Sequence, residues 1–334
     1  MLMVVFGAGA SYDSDPSRPV PQKQDFRPPL ANELFENRPL FGDAIRRLPR
    51  CQPIIPYLRA PGVSVEQELE RLQAEGEGYP EGKRQLAAIR FYLQNTLWGC
   101  GQNWLAQTNG VTNYKTLLDQ IERQRRDGRV CIVTFNYDTL LEYALPAVGL
   151  RIESLPDYIT NENYKVIKLH GSVDWGREVN TNIHLSGDPW EIANELIERA
   201  PDLDITQRYR ISRAALIAKS DTSALFPAVA IPVETKRNYE CPAEHVETLQ
   251  SCLAQVTKVL VIGWRAAEAH FLALVKEHVP KTARWLVVAA NLKAAEETID
   301  RLQQAGIEGG EFRASPNGFT DFVVAREADG FLRS

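Results

Sequence analysis

The stretch Val4-Val5-Phe6-Gly7-Ala8-Gly9-Ala10-Ser11 begins as an apolar run and breaks into two glycines near the start of the chain. Short apolar runs that end in a turn are typical of buried strands. A side chain at Gly7 or Gly9 would block the close approach of backbone N–H groups to a phosphate or would forbid the turn. The stretch therefore predicts a strand followed by a phosphate-binding loop that includes Ala8.

The glycine spacing disfavours the ordinary hydride-transfer domain. The dinucleotide fingerprint of dehydrogenases has a third glycine three residues after the second, and that position is Tyr12 here. Two later segments add to the glycine loop, Thr134-Phe135-Asn136-Tyr137-Asp138 and Lys168-Leu169-His170-Gly171-Ser172. Each begins in or directly after an apolar run and ends in polar residues.

Together these three segments resemble the sirtuin family, whose members have a Gly-Ala-Gly-x-Ser loop, a Thr-x-Asn-x-Asp segment and a His-Gly pair in this order. The closer likeness is to the prokaryotic sirtuin-like NAD+ hydrolases of antiviral defence. Those proteins typically carry Arg-Pro-Pro-Leu and Asn-Tyr-Asp, which are present as Arg27-Pro28-Pro29-Leu30 and Asn136-Tyr137-Asp138. The resemblance implies a single sirtuin-like domain over residues 1–334, with NAD+ as the substrate.

Composition is compatible with one large domain or two medium ones. The chain has 334 residues, 44% of them hydrophobic, and a net charge of −5, which argues against a dedicated nucleic-acid binder. The basic residues Arg123, Arg125 and Arg126 are interpreted as a solvated helix end. The apolar run at the N-terminus is too short for a signal peptide or a membrane span, so we expect a cytoplasmic protein.

The cysteines are odd in number and irregularly spaced, which suits reduced thiols; they are Cys51, Cys100, Cys131, Cys241 and Cys252. Protein-deacylating sirtuins usually hold zinc with two Cys-x-x-Cys pairs downstream of the His-Gly motif. No such pair exists here, so we expect no metal, and the deacylase layout is disfavoured.

Apolar runs alternate with helical patterns along the chain. The predicted strands are 2–6, 130–135, 166–169, 229–233, 259–263 and 285–290, and the predicted helices are 86–97, 114–125, 139–145, 243–256, 266–278 and 294–305. This alternation predicts an α/β fold, a three-layer Rossmann-like parallel sheet with helices on both faces.

Two stretches break the alternation. Residues 38–127 are predicted to be an inserted, mainly helical module, and residues 188–219 a second helix-rich insertion. The loop from Tyr12 to Pro29 is rich in Pro, Asp and Ser, and we expect it to cover the cofactor.

Two polar residues, Asn136 and His170, are predicted to be catalytic, and Asp138 is predicted to bind the ribose or to orient Asn136. The nicotinamide–ribose bond breaks through an oxocarbenium-like transition state, so Asn136 would hold the ribose hydroxyls or the attacking water. Its other interpretation is a turn-forming asparagine. Asp138 suits a ribose ligand or a helix cap, and both roles are compatible. His170 follows a strand and titrates near neutrality, which suits a proton acceptor.

Further residues are predicted to bind NAD+. Ser11 suits a helix cap or a phosphate ligand. Asp25-Phe26-Arg27 is similar to the Asp-Phe-Arg of sirtuins, from which only Phe26 and Arg27 are assigned to the nicotinamide and ribose-phosphate side, with a capping aromatic and a solvated charge as the alternatives. Gly263 and Trp264 correspond in place to a sirtuin segment at the adenosine, although Trp264 equally suits a core residue. The remaining assigned residues are Thr134, Gly171 and Ser172.

The sequence thus predicts an NAD+ hydrolase that releases nicotinamide and ADP-ribose, with defence by NAD+ depletion as the setting that the resemblance implies. The alternatives are an NAD-dependent protein deacylase or ADP-ribosyltransferase, and a non-catalytic module that senses NAD or ADP-ribose. Restraint of such an activity implies a homo-oligomer or a separately encoded partner, such as a HerA-type translocase ATPase or a short Argonaute.

Overall fold

Nine strands form two sheets in the part of the chain that the computed structural model describes, which is residues 1–15, 26–76, 78–125, 128–183, 186–233 and 239–333. In chain order they are β1 (Leu2–Phe6), β2 (Val130–Thr134), β3 (Tyr164–Lys168), β4 (Gly171–Asn180), β5 (Asp204–Ile211), β6 (Ala224–Val229), β7 (Lys258–Ile262), β8 (Arg284–Val288) and β9 (Glu311–Ala314). Six of them form the parallel sheet β3-β2-β1-β7-β8-β9. The predicted α/β fold is confirmed.

The central strands are buried on both faces. Every residue of β1 and β2 is buried, and four of the five residues in β7 and in β8 are. Their Val, Ile and Leu side chains enter one continuous core together with the helices that cover the sheet. Parallel strands covered in this way read as continuous apolar runs, which is why the sequence predicted them.

The register aligns the carboxyl ends of five strands. Phe6 pairs with Thr134 and with Ile262, Thr134 pairs with Lys168, and Ile262 pairs with Val288. The residues that follow these ends therefore meet at one edge of the sheet, where open α/β folds bind ligands. The edge collects the segments after Phe6, Thr134, Lys168 and Ile262.

The described part of the chain contains fourteen α-helices, some of which cover the two faces of the parallel sheet. They are α1 (Ala8–Tyr12), α2 (Pro39–Arg47), α3 (Ile55–Leu58), α4 (Val65–Gly76), α5 (Pro80–Gln107), α6 (Asn113–Gln124), α7 (Leu140–Ala144), α8 (Asp157–Thr160), α9 (Pro189–Glu198), α10 (Ala243–Leu253), α11 (Ala269–His278), α12 (Leu292–Gln304), α13 (Phe319–Val324) and α14 (Glu327–Arg333). The strand order runs in opposite directions from β1 to β3 and from β7 to β9, so right-handed crossovers place the two sets of helices on opposite faces. In agreement, α6 packs on α13 and α14, and α10 packs on α11.

A second, smaller core lies beside the sheet. The helices α2 to α5 and α9 pack around the antiparallel sheet β5-β4-β6, and we call these helices and this sheet the module. The sequence predicted helical insertions at 38–127 and 188–219, and the structure adds this three-stranded sheet. Strand β5 lies inside the second stretch, while α6 lies inside the first but packs with the main sheet's helices.

The predicted strand at 229–233 is wrong. The strand is β6, which ends at Val229 and belongs to the second sheet. Residues 230–233 are buried without forming a strand, and Pro232 has no N–H to donate to a ladder. The apolar pattern of these residues therefore reflects their burial and not a β-strand. No helix in the described part of the chain has the length and apolar character needed to cross a membrane.

Candidate active site

A cleft of about 440 Å³ lies at the carboxyl edge of the parallel sheet, between that edge and the module. Its floor contains segments that follow β1, β2, β3 and β7, and its roof is formed by module residues and the segment that precedes them. The predicted site residues that line it are Gly7, Ala8, Gly9, Ser11, Asn136, Asp138, His170, Gly263 and Trp264. Roof residues include Pro28, Pro29, Leu30, Asn32, Leu34, Glu66 and Leu97.

Three glycines on the floor let two backbone turns touch. Gly7 N donates to Ile262 O and Gly9 N donates to Gly263 O, both at 3.0 Å. A Cβ on Gly7 would lie 2.6 Å from Gly263 O, and one on Gly263, whose φ is +63°, would lie 2.2 Å from Ala10 N. The glycines are thus required for packing between the turns after β1 and β7. Ala8, between them, is exposed toward the cleft.

The Asn136 side chain ties the end of β2 to the turn after β1. Its Nδ2 donates to Gly7 O at 2.9 Å, to Ser11 Oγ at 3.0 Å and to Tyr114 Oη at 2.9 Å. The Gly7 carbonyl can only accept, so the nitrogen must face it. Asn136 lines the cleft, and its Oδ1 is the acceptor that these contacts leave for a ligand.

Tyr114 is a site residue that the sequence analysis missed. It comes from α6, is 1% exposed, and its hydroxyl lies 2.8 Å from Ser11 Oγ. Its ring makes edge contacts with Phe6 and Phe319, with centroids 4.9 and 5.8 Å apart. An aromatic residue on an amphipathic helix reads as core in a sequence, and Tyr114 is core except for its hydroxyl.

Asp138 lies on the cleft floor beside a buried lysine. Its Oδ1 accepts from the backbone N–H of Leu140, the first residue of α7, at 3.0 Å, although the N-cap of that helix is Thr139 and not Asp138, and Asp138 also borders the cleft. Burial raises the pKa of the Asp138 carboxyl, and the Lys168 ammonium and the Ser11 hydroxyl oppose that rise. Lys168, which is 0% exposed, donates to Asp138 O at 2.6 Å and pairs with Glu142 at 2.8 Å.

His170 reaches the cleft from the end of β3. It is 4% exposed, its ring centroid lies 4.9 Å from that of Phe135, and its carbonyl accepts from Ala230 N at 2.9 Å. Gly171 follows with a φ of +80°, and a Cβ there would lie 1.9 Å from Ala228 O. Glycine is therefore needed at 171 for the chain to turn from β3 into β4 beside His170.

An aromatic wall stands behind His170. Phe135 stacks on Trp264 with centroids 5.4 Å apart, and both contact Phe271 edge-on. Trp264 is 3% exposed and its indole N–H donates to Glu268. Trp264 is thus a core residue that also borders the cleft. Both interpretations made from the sequence, a core tryptophan and a residue beside the cofactor, are compatible with this position.

The roof is held by side chains of the module. Arg38 donates to Arg27 O at 2.7 Å and pairs with Glu33, whose carboxylate accepts from Leu30 N at 3.1 Å. Tyr92 Oη donates to Leu34 O at 2.7 Å. The segment that covers the cleft is therefore fixed to the second core.

Some predicted NAD+-binding residues do not line the cleft: Phe26, Arg27, Thr134, Gly171 and Ser172. The Arg27 guanidinium lies 4.4 Å from the centroid of the Tyr12 ring. Thr134 Oγ1 accepts from Asn136 N at 3.1 Å, and Ser172 Oγ donates to Tyr137 O at 3.3 Å, so both support the turn from inside. Most of the predicted covering loop, residues 16–25 with Asp25, lies outside the described residues, as do Arg126 and His184.

Within the described residues, five acidic side chains and two arginines line the cleft. The acidic ones are Glu33, Glu66, Asp138, Glu268 and Glu297, and the arginines Arg265 and Arg301 lie on the β7 and α12 side. Arg265 pairs with Glu66 at 3.2 Å, which joins the floor to module helix α4, and Arg301 donates to Arg265 O at 3.1 Å. Among the described residues, no group of three or more His, Cys, Asp or Glu could hold a metal ion.

This chain is similar to several solved protein structures. No family model and no curated protein matches this chain. The structure of Sir2 bound to acetylated peptide matches with a TM-score of 0.41 and 14% identity, covering 99% of this chain and 94% of that one. Sir2Tm bound to a propionylated peptide gives 0.42 and 13% over 99% and 94%, and the Sir2–p53 peptide–NAD+ complex gives 0.42 and 14% over 99% and 93%. At this identity and TM-score the alignments assign no activity to this chain.

Proposed function

We propose that this chain is an NAD+ hydrolase that cleaves the nicotinamide–ribose bond and releases nicotinamide and ADP-ribose. The observation that carries the proposal is the meeting of Asn136, Asp138 and His170 in one cleft with the turn from Gly7 to Ser11. The N–H groups of Gly7, Gly9 and Ala10 are already hydrogen-bonded within the protein, so the part of the turn proposed to meet a pyrophosphate is the exposed Ala8. The ends of β2 and β3 offer polar side chains to a ribose.

The proposed chemistry uses these side chains where charge develops. The leaving nicotinamide is cationic in NAD+ and departs neutral, so positive charge builds on the ribose. Asn136 Oδ1 accepts a hydrogen bond from a ribose hydroxyl or from the attacking water. His170 accepts the proton that the water loses. The carboxyl of Asp138 lies beside the same charge, and the wall of Phe135 and Trp264 restricts bulk water.

The finer setting of the proposal follows the resemblance to defence NAD+ hydrolases. We propose NAD+ depletion in the cytoplasm as an antiphage response, restrained until a homo-oligomer or a separate partner such as a HerA-type ATPase or a short Argonaute activates the chain. An unrestrained hydrolase would kill its host, so the activity requires a trigger.

The deciding experiment measures nicotinamide release by the purified chain, alone and with the product of its neighbouring gene. Release with stoichiometric ADP-ribose supports hydrolysis. Release that requires an acetyl-lysine peptide or a protein acceptor would replace hydrolysis by the deacylase or transferase alternative. NAD+ binding without release under every condition would favour the sensing alternative, and an absence of NAD+ binding would overturn the proposal.

A further inference from the structure

The hydroxyl of Tyr114 belongs to a helix outside the motif segments yet contacts two of them. Tyr114 Oη lies 2.8 Å from Ser11 Oγ in the glycine turn and 2.9 Å from Asn136 Nδ2 after β2. The ring is clamped between Phe6 and Phe319, so the hydroxyl has a fixed position. A buried hydroxyl with two defined partners restricts how those partners can turn.

The amide hydrogen atoms of Asn136 can be assigned from their acceptors. One N–H of Asn136 is directed at the Gly7 carbonyl, and the other lies between Ser11 Oγ and Tyr114 Oη. Burial raises the pKa of Tyr114, so the phenol keeps its proton, and either of the two hydroxyls can donate in the 2.8 Å hydrogen bond between Tyr114 Oη and Ser11 Oγ. The Ser11 hydroxyl also opposes the rise of the pKa of the Asp138 carboxyl, so the two side chains interact. Polar interactions thus connect Tyr114 through Ser11 to Asp138.

We propose that Tyr114 is a positioning residue for the cleavage of NAD+: its hydroxyl holds Asn136 with Oδ1 toward the ribose and holds Ser11 toward Asp138. The inference rests on the proposed function for its catalytic part. Without the hydroxyl, the amide of Asn136 keeps the Gly7 and Ser11 acceptors but loses the third, so its position is less restricted and its contact with a ribose hydroxyl weakens. The hydrogen bonds of the Tyr114 hydroxyl are with Ser11 and Asn136 and not with Ala8, so we expect pyrophosphate binding at Ala8 to be unaffected.

The test compares Tyr114→Phe with Tyr164→Phe. Both remove one phenol oxygen from a tyrosine that is 1% exposed, and Tyr164 hydrogen-bonds Glu122 at 2.6 Å at the start of β3, away from the cleft. The readouts are kcat and KM for nicotinamide release and the affinities for ADP and ADP-ribose by calorimetry. ADP lacks the terminal ribose, so the ratio of the two affinities reports on the ribose contact.

In Tyr114→Phe we expect kcat to fall about tenfold or more, with KM within about twofold, because the contact matters most in the transition state. The preference for ADP-ribose over ADP should fall by up to about tenfold, the scale of one hydrogen bond, while ADP affinity stays unchanged. Tyr164→Phe should change neither quantity, even where it lowers thermal stability.

Wild-type kcat and an unchanged affinity ratio in a folded Tyr114→Phe protein would overturn the inference, as would equal losses in both variants. If the wild-type chain binds ADP-ribose and never releases nicotinamide, the proposed hydrolase fails while the affinity ratio still decides whether Tyr114 orients the ribose contact. If the wild-type chain binds neither ligand, both the function and the inference fall.

Discussion

Gly9 and Gly263 meet backbone to backbone at the end of β1: Gly9 N donates to Gly263 O at 3.0 Å, and a Cβ on Gly263 would lie 2.7 Å from Gly9 Cα. We expect Gly263→Ala to destabilise the protein far more than Gly62→Ala. Both glycines have positive φ, +63° and +77°, but a Cβ on Gly62 would meet no atom of the described residues within 4 Å. Gly62→Ala should cost about 1–2 kcal/mol from backbone strain alone. Gly263→Ala should add about 1–3 kcal/mol from overpacking, as measured by urea unfolding; equal costs would contradict the contact.

The same contact changes how the phosphate loop should be tested. A Cβ on Gly9 would lie 2.9 Å from Gly263 Cα, so Gly9→Val would disturb packing as well as any ligand. Ala8 is exposed to the cleft and avoids this problem. Ala8→Glu should weaken NAD+ binding about tenfold or more by repelling the pyrophosphate, while Ala8→Gln, which matches it in size, should weaken binding much less. Calorimetry with NAD+ checks this, and equal affinities would move the pyrophosphate elsewhere.

His170→Ala and Asn136→Ala are each expected to lower nicotinamide release by roughly 10²-fold, the scale for losing a general base or an oriented polar contact. NAD+ affinity should change far less, because it comes mainly from phosphate and adenosine contacts. The double variant should lose much less than the product of the single losses. His278→Ala, at the end of α11, serves as the control and should keep the parental rate. A folded His170→Ala protein with the parental rate would move the chemistry to another group.

Lys168 and Glu142 form a buried ion pair beneath Asp138. Removal of one of the two charges should leave the other buried without an opposite charge beside it. We expect Lys168→Met to cost about 3–5 kcal/mol of unfolding free energy. The further substitution Glu142→Gln should recover part of that loss, since the neutral amide no longer needs a cation. Denaturant unfolding of both single variants and the double variant gives the coupling, and purely additive losses would contradict a direct pair.

We expect the buried carboxyl of Asp174 to make the stability of the protein depend on pH. Burial, and then the neighbouring Glu142, raise the pKa of the Asp174 carboxyl, while Lys168 opposes the rise. The folded state thus binds this proton more tightly than the unfolded state, so stability is lost as the pH rises from the unfolded pKa, about 4, through the raised folded value. Asp174→Asn removes that loss, and its advantage in melting temperature over the wild type should grow from acid to neutral pH. An advantage that is independent of pH would mean that Asp174 is not the titrating group.

The parallel sheet could be predicted from the sequence because its strands are buried on both faces and read as apolar runs. The edge at which Asn136 and His170 meet followed from the same runs, since parallel strands end together. The second sheet could not be predicted in this way. Strand β5 is largely exposed and carries Arg208 and Arg210, whose side chains pair with Glu178 on β4, so it lacks an apolar signal.

The structural roles of Tyr114 and Gly263 also could not be predicted from the sequence. Their roles depend on partners more than 90 residues away in the chain, Ser11 for Tyr114 and Gly9 for Gly263. Neither residue has a distinctive local pattern, because one reads as a core aromatic and the other as a turn glycine. Only the register of β1, β2 and β7 brings them to the same turn.

Helix α5 runs for 28 residues, about 42 Å, and belongs to both cores. Its middle part, with Phe91 and Leu93, packs in the module, and its last turns place Trp104 in the core of the main sheet, where the indole N–H donates to Ser14 Oγ at 2.8 Å. Ser14 Oγ in turn donates to Ser11 O, in the turn that carries Asn136's partners. α5 therefore connects the roof of the cleft rigidly to its floor. A protein that binds the side of the module away from the cleft would change the position of the turn from Gly7 to Ser11 by moving α5, without contacting any residue of the cleft.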